Sequence, residues 1–193
     1  MGLWRGAANN PTSDGNYLNL GGYDGIVFAT GNAAIGSQTE HMRIDVNGHV
    51  TQPLQPYFRV RKNANQDNFA VGSNVAVTFE TEDFDVGSNF ASNAFTAPIT
   101  GTYLFHLSLR LQSLETASSY FSAMIETSNR QYRWIEHFPT IADKDYFTVQ
   151  LTTIADLDAS DTASAKIYQH SSTQQTDINE DSTRTLFYGY LLG

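Results

Sequence analysis

From Tyr103 to Gln112 the sequence alternates with a period of two. Tyr103, Phe105, Leu107, Leu109 and Leu111 share one register, and Leu104, His106, Ser108, Arg110 and Gln112 share the other. Successive side chains of a strand point to opposite faces, so this segment predicts a strand with one core face and one mostly polar face. The same pattern recurs along the chain. Phe58-Arg59-Val60-Arg61 alternates, and so does Val75-Ala76-Val77-Thr78-Phe79-Glu80. Phe121, Ala123 and Ile125 alternate with Ser122, Met124 and Glu126. Phe147, Val149 and Leu151 alternate with Thr148, Gln150 and Thr152, and Ala163, Ala165 and Ile167 with Ser164, Lys166 and Tyr168. Many short strands separated by turn signals predict an all-β antiparallel sandwich or jelly roll. Composition agrees. Only 16% of the 193 residues are charged, and 60 are Asn, Gln, Ser or Thr. Thr, Asn, Ser and Gly favour strands and turns over helix, which excludes a helical bundle or coiled coil.

The segment Thr185–Leu192 departs from this pattern. Phe187, Gly189 and Leu191 lie on one face and Leu186, Tyr188, Tyr190 and Leu192 on the other, so both faces are apolar or aromatic. A strand of a lone sandwich has a wet outer face. A two-sided apolar strand predicts that another subunit covers the second face. Leu186, Tyr188, Tyr190 and Leu192, with Phe58, are therefore the expected subunit-contact residues.

The first part of the chain reads differently. Residues 2–48 are rich in Gly and Asn. Their short apolar stretches are Tyr17-Leu18-Asn19-Leu20, Gly25-Ile26-Val27-Phe28-Ala29-Thr30 and Met42-Arg43-Ile44-Asp45-Val46, and a turn follows at Asn47-Gly48. So few apolar residues cannot build a core, and these strands are expected to need neighbours from other chains. Gln52-Pro53-Leu54-Gln55-Pro56 is a stiff connector, because proline fixes φ and restrains the residue before it. The expected division is a β-rich shaft over residues 1–52 and a jelly-roll head over residues 53–193.

Twenty acidic against eleven basic residues give a net charge of −9. That excludes nucleic-acid binding through a basic surface, since phosphate contacts need clustered Lys and Arg. Most of the excess lies between Thr140 and Thr183, where eight acidic residues face Lys144 and Lys166 alone. There is no cysteine, hence no disulfide and no thiolate metal site. No run approaches the about 18 apolar residues of a membrane helix, so membrane insertion is not expected. Residues 1–10 lack a signal-peptide pattern, which predicts either a chain exported by no such route or an excised fragment. His41, His49, His106, His137 and His170 have no metal-ligand spacing, and neither a nucleophile elbow nor a phosphate loop is present. The chain reads as a non-enzyme without cofactor. The candidate calcium ligands are the oxygens of Glu80–Asp85 and Asp156–Asp161, neither of which has calcium-loop spacing.

Ala94-Phe95-Thr96-Ala97-Pro98-Ile99-Thr100-Gly101-Thr102-Tyr103-Leu104-Phe105 resembles the signature of the complement component 1q globular heads, a family related in fold to tumour necrosis factor. Val77-Thr78-Phe79 resembles an earlier strand of that family. Leu157-Asp158-Ala159-Ser160-Asp161-Thr162 resembles its Gly-Asp turn, with Ser160 where Gly is usual. Thr185–Leu192 resembles its closing Phe-x-Gly-x-Leu strand. The resemblance covers about Pro56 to Gly193 and implies a threefold trimer. Glu40-His41-Met42-Arg43-Ile44-Asp45-Val46-Asn47-Gly48-His49-Val50 is similar to a repeat of bacteriophage tail fibres and tailspikes, with His41 and His49 departing from the usual Arg and Asn. That likeness implies a shaft of interleaved strands from three chains.

Together these resemblances imply a phage tail-fibre tip. It would act at the host surface as part of the virion, with other tail proteins and a glycan or outer-surface protein receptor as partners. The alternatives are a structural fibre knob without receptor binding and a secreted lectin-like head. The expected receptor residues lie in two places. Asn129–Phe138 is dense in aromatic, Arg and His side chains, which supply a flat ring and hydrogen bonds for a sugar, so Tyr132, Arg133, Trp134 and His137 are candidates. Gln112–Ser119 and His170–Ser182 read as polar loops of the length that carries recognition, and the second offers Asp177, Glu180 and Asp181.

Overall fold

The computed structural model describes residues 2–5, 18–31, 37–115, 117–137 and 143–193. Of the segments read above, residues 1, 6–17, 32–36, 116 and 138–142 lie outside them. The chain divides into two compact units, Met1–Leu54 and Gln55–Gly193.

The first unit holds β1 (Gly2–Arg5) paired with β2 (Leu18–Gly21), and a three-stranded antiparallel sheet of β3 (Gly25–Thr30), β4 (Thr39–Asp45) and β5 (Val50–Thr51). The turn between β4 and β5 is built by Asp45. Its carboxylate accepts the backbone N–H groups of Asn47 (2.8 Å) and His49 (2.9 Å), and Gly48 takes a φ of +84° to let the chain return. None of the side chains placed in this unit is buried, and Tyr23, Val27, Phe28, Val46 and Val50 stand exposed.

The second unit is a two-sheet jelly roll. Its strands are β6 (Tyr57–Arg61), β7 (Val75–Ala76), β8 (Thr81–Asp85), β9 (Phe90–Ala91), β10 (Ala94–Thr96) and β11 (Gly101–Leu114). They continue with β12 (Tyr120–Thr127), β13 (Gln131–His137), β14 (Lys144–Leu157), β15 (Thr162–His170), β16 (Asp177–Ile178) and β17 (Leu186–Leu191). One sheet runs β14-β11-β17-β6-β8, with β16 on β11. The other runs β13-β12-β15-β10-β9, with β7 on β15.

The alternation of β11 decides which face is core. Tyr103, Phe105, Leu107, Leu109 and Leu111 are fully buried, while Leu104, His106, Arg110 and Gln112 are only partly covered. One end of the core is aromatic. Phe58 stacks on Phe95 (centroids 4.9 Å) and Phe90 (5.1 Å) and meets Phe187 edge-on (5.1 Å). Tyr103 enters the same cluster and donates its hydroxyl proton to the Ile99 carbonyl at 2.7 Å. Gly189 is required there, because a Cβ would lie 2.5 Å from Phe105 Cδ1 and 3.0 Å from the Leu104 carbonyl. That close approach explains the Phe-x-Gly pattern of the last strand.

The stretch Val75–Glu80 does not form the six-residue strand its alternation predicts. Only Val75–Ala76 pairs. The Val77 N–H still donates to the Ala165 carbonyl (3.0 Å), and side chains serve much of the remaining backbone. Gln66 donates to the Ala76 carbonyl (2.8 Å) and accepts the Thr78 N–H (3.1 Å), and Asn93 accepts the Phe79 N–H (2.8 Å). Fully buried Lys62 donates to the Thr78 carbonyl (2.9 Å) and to Glu80 Oε1 (3.1 Å).

Candidate functional site

The head presents two sheet faces to solvent, and their register shows what each carries. On the β14-β11-β17-β6-β8 sheet, Ile154, Leu104, Tyr190 and Tyr57 form one cross-strand row. Thr152, His106, Tyr188, Arg59 and Phe84 form the next. Tyr57 meets Phe84 edge-on at 5.2 Å, and the two join Tyr188 and Tyr190 around an apolar hollow of about 300 Å³. Ile154, Phe84, Tyr190 and Leu192 are all more than two-fifths exposed. Contiguous exposed aromatics of this kind mark an interaction surface. His106 stacks on Tyr188 (4.9 Å) and shares a 2.7 Å hydrogen bond with Thr152 Oγ1, and its burial lowers its pKa.

Charges border this face in paired groups. Asp83 lies between Arg59 Nε (3.3 Å) and Arg61 Nε (2.8 Å). Asp181 receives Arg110 Nη1 (2.6 Å) and Arg184 Nη1 (2.7 Å). The Thr183 hydroxyl and N–H, then the two guanidinium groups, hold the Asp181 carboxyl far below the usual carboxylate range against the opposing effect of burial.

The structure corrects several expected site residues. Phe58 is 1% exposed inside its own chain, so its ring belongs to the core and only underlies the outward hollow rather than standing out as a subunit contact. Leu186 is likewise buried within its chain. Tyr188, Tyr190 and Leu192 do lie on the outward face. Tyr57, Phe84, Leu104 and Ile154 join them. The signal for the last two was present, because Leu104 is an apolar intruder in the polar register of β11 and Ile154 is its partner on β14.

Tyr132 and Trp134 turn inward, packed against the core, with Trp134 beside Phe147 at 6.2 Å. Both rings are half-buried, with much of their surface taken up by that packing rather than held out on the outward face. The segment expected to loop from His170 to Ser182 includes β16, paired with β11. Asp177 accepts the Asn68 N–H at 2.7 Å, and Asp181 is the ion-pair hub just described, so both carboxylates hold the fold together. Glu180 is exposed. Glu80–Asp85 is largely strand β8, with Glu80 and Asp83 already paired to cations. Asp161 closes a turn by accepting the Asp158 N–H (2.9 Å) and Asn129 Nδ2 (2.6 Å). Neither acidic segment gathers its carboxylates around one point, and among the described residues no three metal-ligating side chains come together.

Arg133 and His137 point outward on the second sheet, where β12 lies between β13 and β15. Its outward rows are His137–Tyr120–His170, Ile135–Ser122–Tyr168, Arg133–Met124–Lys166 and Gln131–Glu126–Ser164. Tyr120 stacks on His170 (4.7 Å, 16° between planes) and on Tyr168 (5.8 Å), with His137 at 5.6 Å. Lys166 pairs with Glu126, and Gln131 donates to the same carboxylate. Lys166 first, then Gln131, lowers the Glu126 pKa.

No family model and no curated protein matches the sequence. Solved structures do match. Murine APRIL aligns with 72% of this chain and 99% of its own at 12% identity and a TM-score of 0.53. The globular domain of zebrafish complement 1qA aligns with 72% of this chain and 98% of its own at 15% identity and a TM-score of 0.52. The head is therefore an all-β jelly roll with the fold of the complement 1q and tumour necrosis factor-like domains.

Proposed function

We propose that the chain is the tip of a bacteriophage tail fibre, a homotrimer whose head adheres to the host surface. The observation that carries this reading is the outward face of β14-β11-β17-β6-β8. Tyr57, Phe84, Leu104, Ile154, Tyr188 and Tyr190 form a contiguous apolar surface that a monomer would leave in water. The fold supports a trimeric binding head. The first unit supports the fibre context, since among its described side chains none is buried, and strands of that kind gain a core only from neighbouring chains. Asp45 and Gly48 also make structural sense of the fibre-like motif, as the pair that turns the chain between β4 and β5.

Trimerisation gives three copies of any weak site, so avidity can supply adhesion. A knob that only trimerises would account for the apolar face, but not for the ring-rich outward surface of the second sheet, which favours receptor binding. The test is adhesion. Fluorescently labelled full-length chain should coat host cells and compete with whole phage, whereas a chain that coats no cells and blocks no phage contradicts the adhesive role.

A further inference from the structure

We propose that the outward face of β12, β13 and β15 binds an acidic glycan, a sugar chain with carboxylate-bearing rings. This rests on the adhesive reading and names the receptor class for it. Four side chains, His137, Tyr120, His170 and Tyr168, form a ring ladder across three neighbouring strands. Such rings bring apolar surface for sugar C–H groups together with phenol hydroxyls and ring nitrogens for sugar hydroxyls. Ser171 Oγ extends this polar rim, 3.0 Å from His170 Nδ1 and 2.9 Å from Ser119 Oγ.

Two further observations point to a ligand. Ser122 stands at the centre of the face, between Ile135 and Tyr168, and is fully buried. Its Oγ has no hydrogen-bond partner among the described protein groups. A buried hydroxyl is normally paired, so this one is a hydrogen-bonding position that a ligand hydroxyl entering between the rings would satisfy. The second observation is charge. The chain carries −9, yet this face carries Arg133 and Lys166 against one carboxylate, Glu126. Lys166 is neutralised by Glu126, whereas the Arg133 hydrogen bonds go to the neutral amide of Gln131, at 2.6 and 3.3 Å. Glu126 attracts the guanidinium too, but two cations against one carboxylate leave the face with excess positive charge, and Arg133, which makes no direct ion pair there, is the cation suited to a two-pronged contact with a ligand carboxylate. A phosphate-dense polyanion would call for several such cations. One cation among rings and hydroxyls suits a mostly neutral sugar chain with spaced acid groups. The face belongs to the sheet opposite the apolar one, so a trimer built through the apolar face leaves all three copies open.

The test uses the full-length chain and a panel of oligosaccharides from polygalacturonate, alginate and polysialic acid, with a neutral dextran oligomer as control. At least one acidic probe should bind, shifting the NMR signals of Tyr120, Tyr168 and His170, while dextran leaves them unmoved. Arg133→Gln changes an exposed side chain that anchors no part of the fold. It should weaken acidic-probe binding about tenfold, with trimer mass and melting unchanged. Tyr168→Ala should weaken it too, and far-ultraviolet circular dichroism checks that the variant folds. Failure of every acidic probe at millimolar concentration overturns the site, as does equal binding by Arg133→Gln. Host-cell adhesion measured in parallel separates the two claims. Adhesion that survives both substitutions strikes this site alone, and absence of adhesion by the native chain strikes the adhesive reading while binding to purified probes still stands or falls by itself.

Discussion

Ser160 holds a φ of +79° in the turn before β15, where its N–H donates to the Ala97 carbonyl at 2.8 Å. An L-residue is strained in that region and glycine is not, so Ser160→Gly should raise unfolding stability by about 0.5–1 kcal/mol in urea titration. A neutral or destabilising change would mean the serine side chain compensates for the strain. His106 makes a pH prediction. Its burial lowers the folded-state pKa below the unfolded one, so the unfolded chain binds the proton more readily. Stability is then complete above about pH 6.5 and falls as pH drops below it. Melting temperature should decline from pH 7 to pH 5, and His106→Gln should flatten that decline. An unchanged slope would contradict the role given to His106. At this scale the sequence was only half legible. The alternation in Asn129–His137 separates Tyr132 and Trp134 from Arg133 and His137, but a period of two does not say which register faces the core. That depends on the second sheet packed against it, which is why Tyr132 and Trp134 lie half-buried against the core and their neighbours outward.

Elements with a strong period were read correctly from sequence. The faces of β11 follow directly from its alternation, because a long run leaves one consistent register. Val75–Glu80 alternates as well, yet it forms only a two-residue strand. There the backbone is satisfied by Gln66, Asn93 and Lys62, which lie elsewhere in the sequence and which periodicity cannot register. Lys62 is the main support of this irregular segment, with its ammonium between the Thr78 carbonyl, the Thr78 hydroxyl and Glu80. Lys62→Ala would leave those acceptors unpaired and open a cavity. Glu80 is exposed enough for water to reach it, so the loss should be about 1–3 kcal/mol of stability, chiefly from the Thr78 acceptors, with faster amide exchange at Thr78 and Phe79 than in β11. A loss under about 1 kcal/mol would show that water replaces the ammonium readily.

For the whole molecule, the low charge and the two sheet faces belong together. A chain that is 16% charged and rich in Asn, Thr, Ser and Gln makes strands. The structure sorts their outward sides into an apolar face bordered by Arg–Asp pairs and a ring-lined face carrying two cations against one carboxylate. The sequence revealed the first of these through the two-sided last strand, but assigned Phe58 to it because a single register cannot show that a phenylalanine closes its own sandwich. Of the second face the sequence offered only Arg133 and His137, since Tyr120, Tyr168 and His170 come together only when β12 and β15 pair. The most direct test of the account is the solution mass of the full-length chain by sedimentation equilibrium. The account predicts three times 21.4 kDa at micromolar concentration, and dissociation to a folded monomer when Tyr190→Arg places a charge in the apolar face. A native chain that sediments as a stable monomer would contradict it.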